Sequence, residues 1–358
     1  MTNNSGIISF VIPTLNFAEF LPETLDSILA EGYLKTEIIV FDGGSCDNTL
    51  EVLESYKDIC PELIVIVAKE RGNIDVDLNK AVASATGEYI WTLSADDVLV
   101  QGWSQVIVPR LKREKPDLLL VPAIHCDIQM RPRRNYPILK ETKNGTLTSV
   151  IEDDADLFKY LDSVRTSEGL FSFCSACIVR RDHLLQTPVL EQANGTCWRY
   201  AARLISVLTS YPSMITVLNF PLIQKRGDND SFASSGMINR LRIATLNWDK
   251  AIGSLGLNEP VTQAMLKVVK ADIRPFTLLY LSQYVRDGDE QIIYRACVDT
   301  RIGRSGAGST FSAGVLKRMP RFAVLRKALE IAKDVVRIFQ QRLWATRIPV
   351  DASAPYRP

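Results

Sequence analysis

A chain of 358 residues is long enough for one large domain with an extension, or for two domains, and it can bury a sizeable core. Its 46% hydrophobic and 23% charged residues exclude the intrinsically disordered and collagen-like classes. A formal net charge of +1 gives no overall reason to expect nucleic acid as a partner, and none is predicted.

The first hundred residues alternate between short apolar runs and segments with helical spacing. Strands are predicted at 7–12, 37–41, 63–68 and in the apolar run after Gly87, and helices at 21–30, 48–56 and 75–85. This alternation is typical of β-α-β units. It predicts an α/β fold with a mainly parallel sheet flanked by helices.

Three of these strands end in polar loops, at Thr14, Asp42 and Asp96. Because the carboxyl ends of parallel strands lie at the same edge of a sheet, one ligand there can contact all three loops. Asp42 is followed by two glycines and Ser45, which allow close backbone approach to a ligand or a cap for the next helix. A simple tight turn is the alternative interpretation.

Asp96 and Asp97 end an apolar run and form an adjacent pair of carboxylates. Carboxylate oxygens suit Mg²⁺ or Mn²⁺, so the pair indicates a hard-cation site that can hold a diphosphate. Alternatively, Asp96 caps a following helix or turn. Asp75 and Asp77 also suggest a metal motif, but their spacing at a helix start favours capping.

After Pro109 the pattern is less regular. Further strands of the same sheet are predicted at 118–122 and 171–179, a helix at 200–210 and a last strand at 213–222. From about residue 227 helical spacing dominates, at 238–252, 261–285 and 322–344, with Pro275 expected to kink or end the middle helix. The predicted domains are therefore residues 1–226 and a mainly helical region at 227–358.

Seven cysteines without regular spacing, and no signal-peptide pattern in residues 1–10, predict a reducing, cytoplasmic setting. Residues 317–347 carry nine basic and two acidic side chains around an apolar stripe. Such a helix can lie on an anionic membrane, which would place the protein at the inner face of the plasma membrane. It can equally pack its stripe on protein.

Five stretches, taken in order, resemble family 2 glycosyltransferases of the GT-A fold. They are Val11-Ile-Pro-Thr-Leu-Asn16, Phe41-Asp-Gly-Gly-Ser-Cys-Asp-Asn-Thr49, Lys69-Glu-Arg-Gly72, Asn79-Lys-Ala81 and Ala85-Thr-Gly-Glu-Tyr-Ile-Trp-Thr-Leu-Ser-Ala-Asp-Asp97. Within that family, Gly72-Asn-Ile-Asp-Val-Asp77, Trp91 and Arg226-Gly-Asp-Asn-Asp-Ser-Phe232 resemble the abequosyltransferase-like branch.

The resemblance implies a GT-A domain at residues 1–226 that transfers a hexosyl-type sugar from a nucleotide-diphosphate donor. The acceptor is a hydroxyl of a glycan or lipid-linked sugar, in surface polysaccharide or O-antigen-type synthesis. Asp96 is implied to bind Mg²⁺ or Mn²⁺, with Asp97 as a second ligand or orienting group. The residues implied to contact the donor are Pro13, Thr14, Asn16, Glu19, Asp42, Gly43, Gly72, Asn79, Ser94, Ala95 and Arg226.

Three features depart from the family pattern or extend it. Ser94 stands where the family usually has an acid, two residues before the metal-binding one. Lys225 and Arg226 follow the last predicted strand and are candidates for closing over the phosphates, or form a solvated strand end. The family's Glu-Asp pair is missing, and Glu191 is the predicted base because it precedes a glycine-containing loop and a helix.

Two other classes of function stay open. The chain can be a nucleotide-sugar-binding protein that keeps the fold without catalysis, as Ser94 and the missing Glu-Asp pair suggest. It can also be a sugar nucleotidyltransferase, although the first strand is followed by Pro13-Thr14-Leu15-Asn16 and not by a glycine-rich, basic phosphate loop.

Overall fold

The computed structural model describes residues 7–32, 36–140, 145–210, 212–230, 232, 235–273 and 275–302. One compact unit comprises the residues up to Asp228, and a second begins at Asn229. The predicted division into domains at residues 1–226 and 227–358 stays a prediction.

Short strands and helices alternate through the first unit. Its strands are β1 Ile8–Thr14, β2 Thr36–Asp42, β3 Leu63–Val67, β4 Tyr89–Thr92, β5 Val98–Leu99, β6 Leu118–Leu120, β7 Ala123–Cys126, β8 Pro132–Tyr136, β9 Leu147–Ile151, β10 Cys177–Arg180, β11 Ser213–Val217 and β12 Ile223–Lys225. Its helices are α1 Leu21–Leu29, α2 Thr49–Lys57, α3 Ile74–Ala83, α4 Trp103–Glu114, α5 Asp154–Ser163, α6 Arg181–Gln186 and α7 Arg199–Thr209.

The large sheet has the strand order β3-β2-β1-β4-β10-β6-β11-β9. Strands β3, β2, β1 and β4 run parallel, as do β6 and β11, whereas β10 and β9 are antiparallel to their neighbours. Helices α3, α5 and α7 pack against strands of this sheet. The predicted α/β class, with a sheet flanked by helices, is confirmed.

The strand predicted at 171–179 is largely wrong. Only Cys177–Arg180 forms a strand in this region, and it follows short 3-10 helices at Ser167–Leu170 and Cys174–Ala176. Phe171 has a φ of 65°, in the left-handed region, so the apolar run cannot continue as one strand. The segment therefore folds across the end of β4 before it enters the sheet as β10.

A second, four-stranded sheet has the order β5-β12-β7-β8 and is not predicted from the sequence. The strand predicted at 213–222 ends at Val217, and the chain re-enters strand structure as β12 in this other sheet. The basic stretch at 131–134 overlaps β8. These strands are short and carry charged residues, so they lack the apolar periodicity that marks the first sheet.

Three aromatic side chains, Phe10, Trp91 and Trp103, form the core under β1 and β4. Their ring centroids lie 5.2 to 5.4 Å apart, and all three are fully buried. The indole N–H of Trp91 donates to the carbonyl oxygen of Ser175 at 2.9 Å. This bond fixes the segment before β10 to β4, where the acidic pair follows.

Gly87 packs directly on the backbone of β1. A Cβ atom at Gly87 would lie 2.8 Å from the Ser9 nitrogen and 3.1 Å from the Ile8 carbonyl carbon. We therefore expect Gly87→Ala to lower the free energy of unfolding by about 2 kcal/mol, because backbone has to move to accept the methyl group. Urea denaturation measures this. Gly253→Ala is the control, since that methyl group meets open space, and an equal loss in both variants would contradict the packing argument.

The second unit, as far as the structure describes it, is helical. Its elements are α8 Met237–Arg242, a π-helical turn at Ile243–Asn247, α9 Trp248–Gly253, α10 Glu259–Ala271, α11 Pro275–Leu281, a 3-10 turn at Ser282–Tyr284 and α12 Gly288–Ile302. Pro275 begins a helix after α10 has ended, as the predicted break requires. Within the described ranges no helix has the length and apolar character to cross a membrane. The predicted helix at 322–344 and the basic segment at 317–347 lie outside the described residues.

Candidate active site

The polar loops after β1, β2 and β4 lie at the same edge of the large sheet. Thr14 pairs with Asp42 at the ends of the parallel strands β1 and β2, and Val11 pairs with Thr92 of β4. Asp96 follows β4 by four residues at this edge. The edge therefore offers side chains from three adjacent loops to one ligand.

Asp42 is fully buried and organises the loop that follows it. Its Oδ1 accepts hydrogen bonds from the backbone N–H groups of Gly44 and Ser45, at 3.1 and 2.9 Å, and its Oδ2 accepts from the Ser45 hydroxyl. Ser45 Oγ also accepts from the N–H of Asn16, whose Oδ1 accepts from the N–H of Cys46 at 2.8 Å. Ser45 thus joins two loops and does not cap α2. Contact of Asp42 and Asn16 with the nucleoside stays a prediction.

Two buried polar atoms at this edge have no hydrogen-bond partner among the described residues: Thr14 Oγ1 and Asp77 Oδ1. The Asp77 carboxylate lies beside two glycines, since a Cβ at Gly43 would be 3.2 Å from its Oδ2 and one at Gly72 2.6 Å from its Oδ1. Burial raises the pKa of Asp77. The sequence favoured a capping role for Asp75 and Asp77, but the cap of α3 is Asn73, whose side chain accepts from the N–H of Val76. The unsatisfied Asp77 oxygen at this edge was not predicted.

Asp75 and Asn79, on the same helix, connect α3 to α7. The buried Asp75 carboxylate accepts from the backbone N–H groups of Cys197 and Arg199, at 2.9 and 3.1 Å. Asn79 Oδ1 accepts from the guanidinium of Arg203 at 2.7 Å. Asp75 thus serves the start of α7, and neither carboxylate oxygen is oriented as a metal ligand. The donor contact predicted for Asn79 stays a prediction.

Asp96 and Asp97 have different surroundings. Ser94 Oγ donates to Asp96 Oδ1 at 2.5 Å, so the residue that replaces the expected acid orients the metal-binding candidate. Both oxygens of Asp97 are engaged inside the fold: Oδ2 accepts from Ser175 Oγ at 2.6 Å, and Oδ1 from the backbone N–H of Arg226 at 3.1 Å. Burial, and then the adjacent Asp96 carboxylate, raise the pKa of Asp97. This geometry fits the orienting role predicted for Asp97 better than metal ligation.

Arg226 is a buried anchor in this structure. Its guanidinium donates to the carbonyl oxygens of Asp96 and Ile128, at 3.0 and 2.6 Å, and to the carboxylate of Glu23 at 2.7 Å. It also lies over the ring of Phe20, and only 2% of its side chain is exposed. Contact with the donor phosphates, as predicted, would require these bonds to be exchanged.

Glu191 lies in a 3-10 turn before α7 and is the predicted base. Its carboxylate forms an ion pair with Arg199, and 73% of its side chain is exposed. The exposed Glu191 carboxylate is therefore held by the Arg199 guanidinium at the start of α7. Its role as base stays a prediction.

The other predicted donor residues are distributed over the same loops. Pro13 is half-buried in β1, Glu19 is exposed before α1, and Ala95 is buried between Ser94 and Asp96. Their contacts with the donor stay predictions.

The carboxylate oxygens of Asp96 suit a divalent cation that a bound diphosphate also coordinates. Oxygen ligands suit Mg²⁺ and Mn²⁺, and Mg²⁺ in particular is commonly held by one or two carboxylates plus phosphates and water. Within the described parts of the chain no cluster of three or more His, Cys, Asp or Glu side chains could hold a metal alone.

Comparison with known proteins agrees with this arrangement. Residues 9–185 match the family described as "Glycosyl transferase family 2". The sheet, the loops at its edge and this match define the class: residues 9–185 belong to glycosyltransferase family 2.

Among curated proteins, the chain is similar to the abequosyltransferase RfbV of Salmonella typhimurium, with 27% identity over 241 residues, 66% of this chain and 72% of that one. It is 31% identical to the putative teichuronic acid biosynthesis glycosyltransferase TuaG of Bacillus subtilis over 97 residues, 27% of this chain and 38% of the relative. It is 30% identical to the poly-beta-1,6-N-acetyl-D-glucosamine synthase of Staphylococcus aureus over 196 residues, 55% and 46% of the two chains. The chain thus spans less than half the length of the last two.

Among solved structures, residues 1–349 of TarS from S. aureus share the fold. The TM-score is 0.57 at 17% identity, covering 98% of this chain and 93% of that one. The same protein in complex with UDP-GlcNAc gives a TM-score of 0.58, covering 95% and 91%. The predicted fold and the predicted family are both confirmed.

Proposed function

We propose that this protein transfers a hexosyl-type sugar from a nucleotide-diphosphate donor to an acceptor hydroxyl, in the synthesis of a surface polysaccharide or an O-antigen-type glycan. The single observation that supports this most is at the sheet edge. There Asp96 lies with two buried polar atoms that the fold does not satisfy, Thr14 Oγ1 and Asp77 Oδ1. Buried polar atoms are normally hydrogen-bonded, so unsatisfied ones point to a ligand.

The relatives support the glycan class. Their names describe an abequosyltransferase, a teichuronic acid biosynthesis glycosyltransferase and a poly-beta-1,6-N-acetyl-D-glucosamine synthase. All three names refer to the assembly of carbohydrate chains, and we extend that class, without a specific sugar, to this chain.

Different residues at this edge of the large sheet contact different parts of the donor. In the proposed complex the nucleoside lies against the β1 and β2 loops, where the Asp77 carboxylate, packed against Gly43 and Gly72, offers an acceptor oxygen. Asp96, oriented by Ser94, holds Mg²⁺ or Mn²⁺ beside the diphosphate. The bound cation supplies neutralisation of the charge that develops on the departing diphosphate. Asp97 keeps the Asp96 turn in place through Ser175.

We further propose a cytoplasmic setting in which the basic segment at 317–347 contacts the inner face of the plasma membrane. The nine basic side chains around an apolar stripe support this. The acceptor in that setting is a glycan or a lipid-linked sugar.

A panel of nucleotide sugars tests the activity without knowledge of the acceptor. The purified full-length chain is incubated with UDP-, GDP-, CDP- and dTDP-linked sugars, with Mn²⁺ or Mg²⁺ and with EDTA, and nucleoside diphosphate release into water is measured. We expect one base to be preferred, with release that EDTA abolishes. Binding of a nucleotide sugar by calorimetry without release, either into water or with added glycan acceptors, would favour the non-catalytic alternative. Release of inorganic diphosphate with sugar 1-phosphate and a nucleoside triphosphate would favour the nucleotidyltransferase.

A further inference from the structure

A cluster of charged and aromatic side chains covers one face of the second sheet. Lys225 of β12 pairs with His125 of β7, which pairs with Arg134 of β8, so the three side chains lie on the same face. The His125 ring stacks on Tyr136 with a centroid distance of 4.4 Å, and the Lys225 ammonium lies 4.1 Å from the ring centroid of Phe173. Faces of this kind, with aromatic rings beside hydrogen-bonding groups, suit a sugar, which offers both C–H and O–H groups.

Glu168 lies against this face and is buried, with 4% of the residue exposed. Its Oε1 is 3.9 Å from the Lys225 ammonium and 4.0 Å from His125 Nε2. Lys225 and His125 are themselves partly exposed, with 33% and 21% of their side chains accessible. The carboxylate is therefore placed just beneath groups that a ligand can reach.

The topology puts this cluster on the far side of Asp96 from the nucleoside loops. Strand β4 lies between β1 and β10 in the sheet, and β10 runs antiparallel to β4, so it begins at the edge where β4 ends. Ser175, just before β10, binds Asp97, and the residue after Lys225 donates its backbone N–H to Asp97. A donor with its nucleoside on β1 and β2 and its diphosphate at Asp96 directs its sugar toward this cluster.

His125 and Lys225, the two groups nearest the Glu168 carboxylate, are poor proton acceptors. Burial, and then the charges of Lys225 and Arg134, lower the pKa of His125 to about 3, so the imidazole takes up a proton only weakly at neutral pH. Lys225 is a cation beside a carboxylate and has no acceptor atom when charged. Glu168 is the group of this cluster that can accept a proton.

We propose, on the basis of the proposed function, that Glu168 is the catalytic base that receives the proton of the acceptor hydroxyl. The acceptor oxygen forms a bond to the anomeric carbon while the bond from that carbon to the diphosphate oxygen breaks. The nucleoside diphosphate leaves with the electron pair, and the hydroxyl proton passes to the Glu168 carboxylate. Lys225 is a positioning residue, because its ammonium holds the carboxylate toward the acceptor face.

Azide distinguishes a base from a structural residue. The donor that the nucleotide-sugar panel selects is used, and release of nucleoside diphosphate is measured with water and with added sodium azide as the acceptor. Azide is already an anion, so its nitrogen bonds to the anomeric carbon without any proton transfer. We expect Glu168→Gln to lower release into water about 100-fold or more. Azide should restore release, with glycosyl azide detected by mass spectrometry.

Nucleotide affinity by calorimetry and the melting temperature should stay close to the wild-type values in Glu168→Gln. Glu168→Asp, which keeps a carboxylate, should recover part of the activity in water. Glu54→Gln, an exposed glutamate of α2, is the matched control. Glu191→Gln is assayed in the same way, and if Glu168 is the base, azide should not restore whatever release Glu191→Gln loses.

Three outcomes would overturn this inference alone: near-normal release into water by Glu168→Gln, an equal loss with azide and water, or the azide-rescued pattern in Glu191→Gln instead. If Glu168→Gln does not fold, the water-to-azide ratio of Glu168→Asp decides, and an unchanged ratio overturns the proposal. Absence of release from every nucleotide sugar by the wild-type chain, with glycan acceptors also tried, would overturn the proposed function and this inference with it.

Discussion

Asp96→Ala is expected to abolish the part of nucleotide affinity that depends on Mn²⁺ and to lower turnover by about 1000-fold or more. Asp96 is the better candidate of the acidic pair for a cation ligand, because both oxygens of Asp97 accept hydrogen bonds, from Ser175 and from the backbone N–H of Arg226. A cation that neutralises a departing diphosphate contributes several kcal/mol of transition-state stabilisation, and each 1.4 kcal/mol corresponds to tenfold in rate. Calorimetry of the nucleoside diphosphate, with Mn²⁺ and with EDTA, measures the binding part.

Asp162→Ala is a suitable control for Asp96→Ala, because Asp162 is an exposed acid on α5 whose side chain is 87% accessible. It should bind nucleotide with and without Mn²⁺ as the wild type does. Ser94→Ala should show a smaller effect in the same direction as Asp96→Ala, since it removes only the hydrogen bond to Asp96 Oδ1. Metal-dependent affinity that persists in Asp96→Ala would exclude Asp96 as the ligand.

The nucleoside half of the site was predictable because it depends on local periodicity. Apolar runs that alternate with helical segments predict a parallel sheet, and a parallel sheet brings the ends of its strands to one edge, so Thr14, Asp42 and Asp96 could be placed there from the sequence. The role of each side chain could not be predicted from the sequence. Asp42 organises its own loop and Asp77 offers an unsatisfied oxygen, and these roles depend on rotamers that periodicity does not specify.

The opposite half of the site was not predictable in the same way. Glu168 lies in the 3-10 turn Ser167–Leu170. The apolar stretch that follows predicts a single strand but contains the left-handed Phe171 and a second 3-10 turn, at Cys174–Ala176. The second sheet, which carries His125 and Lys225, is made of strands of three to five residues apart from the two-residue β5. Such strands give almost no period-2 signal, and their pairing joins segments about a hundred residues apart. The cluster exists only through these long-range pairings.

Arg226 shows how a long-range contact changes the interpretation of a single residue. Its backbone N–H binds Asp97, 129 residues earlier in the sequence, and its guanidinium binds the carbonyl oxygens of Asp96 and Ile128. As a residue after a predicted strand it suggested a phosphate contact, whereas its side chain is 2% exposed and fully used by the protein. The two roles predict different effects of substituting Arg226.

We expect Arg226→Met to lower the free energy of unfolding by about 3 kcal/mol or more, because it removes the hydrogen bonds to the carbonyl oxygens of Asp96 and Ile128 and the contact with Phe20. Urea denaturation followed by tryptophan fluorescence measures this, since Trp91 and Trp103 are buried in the same unit. Arg133→Met is the matched control. Arg133 is 30% exposed and pairs with Asp228, itself 55% exposed, so its loss should cost about 1 kcal/mol or less. A phosphate-binding Arg226 would give the reverse result, with stability kept and nucleotide affinity lost. If Arg226 instead anchors the Asp96 turn, Arg226→Met lowers the stability of the protein. Nucleotide affinity then falls only to the extent that the turn holding Asp96 is disturbed.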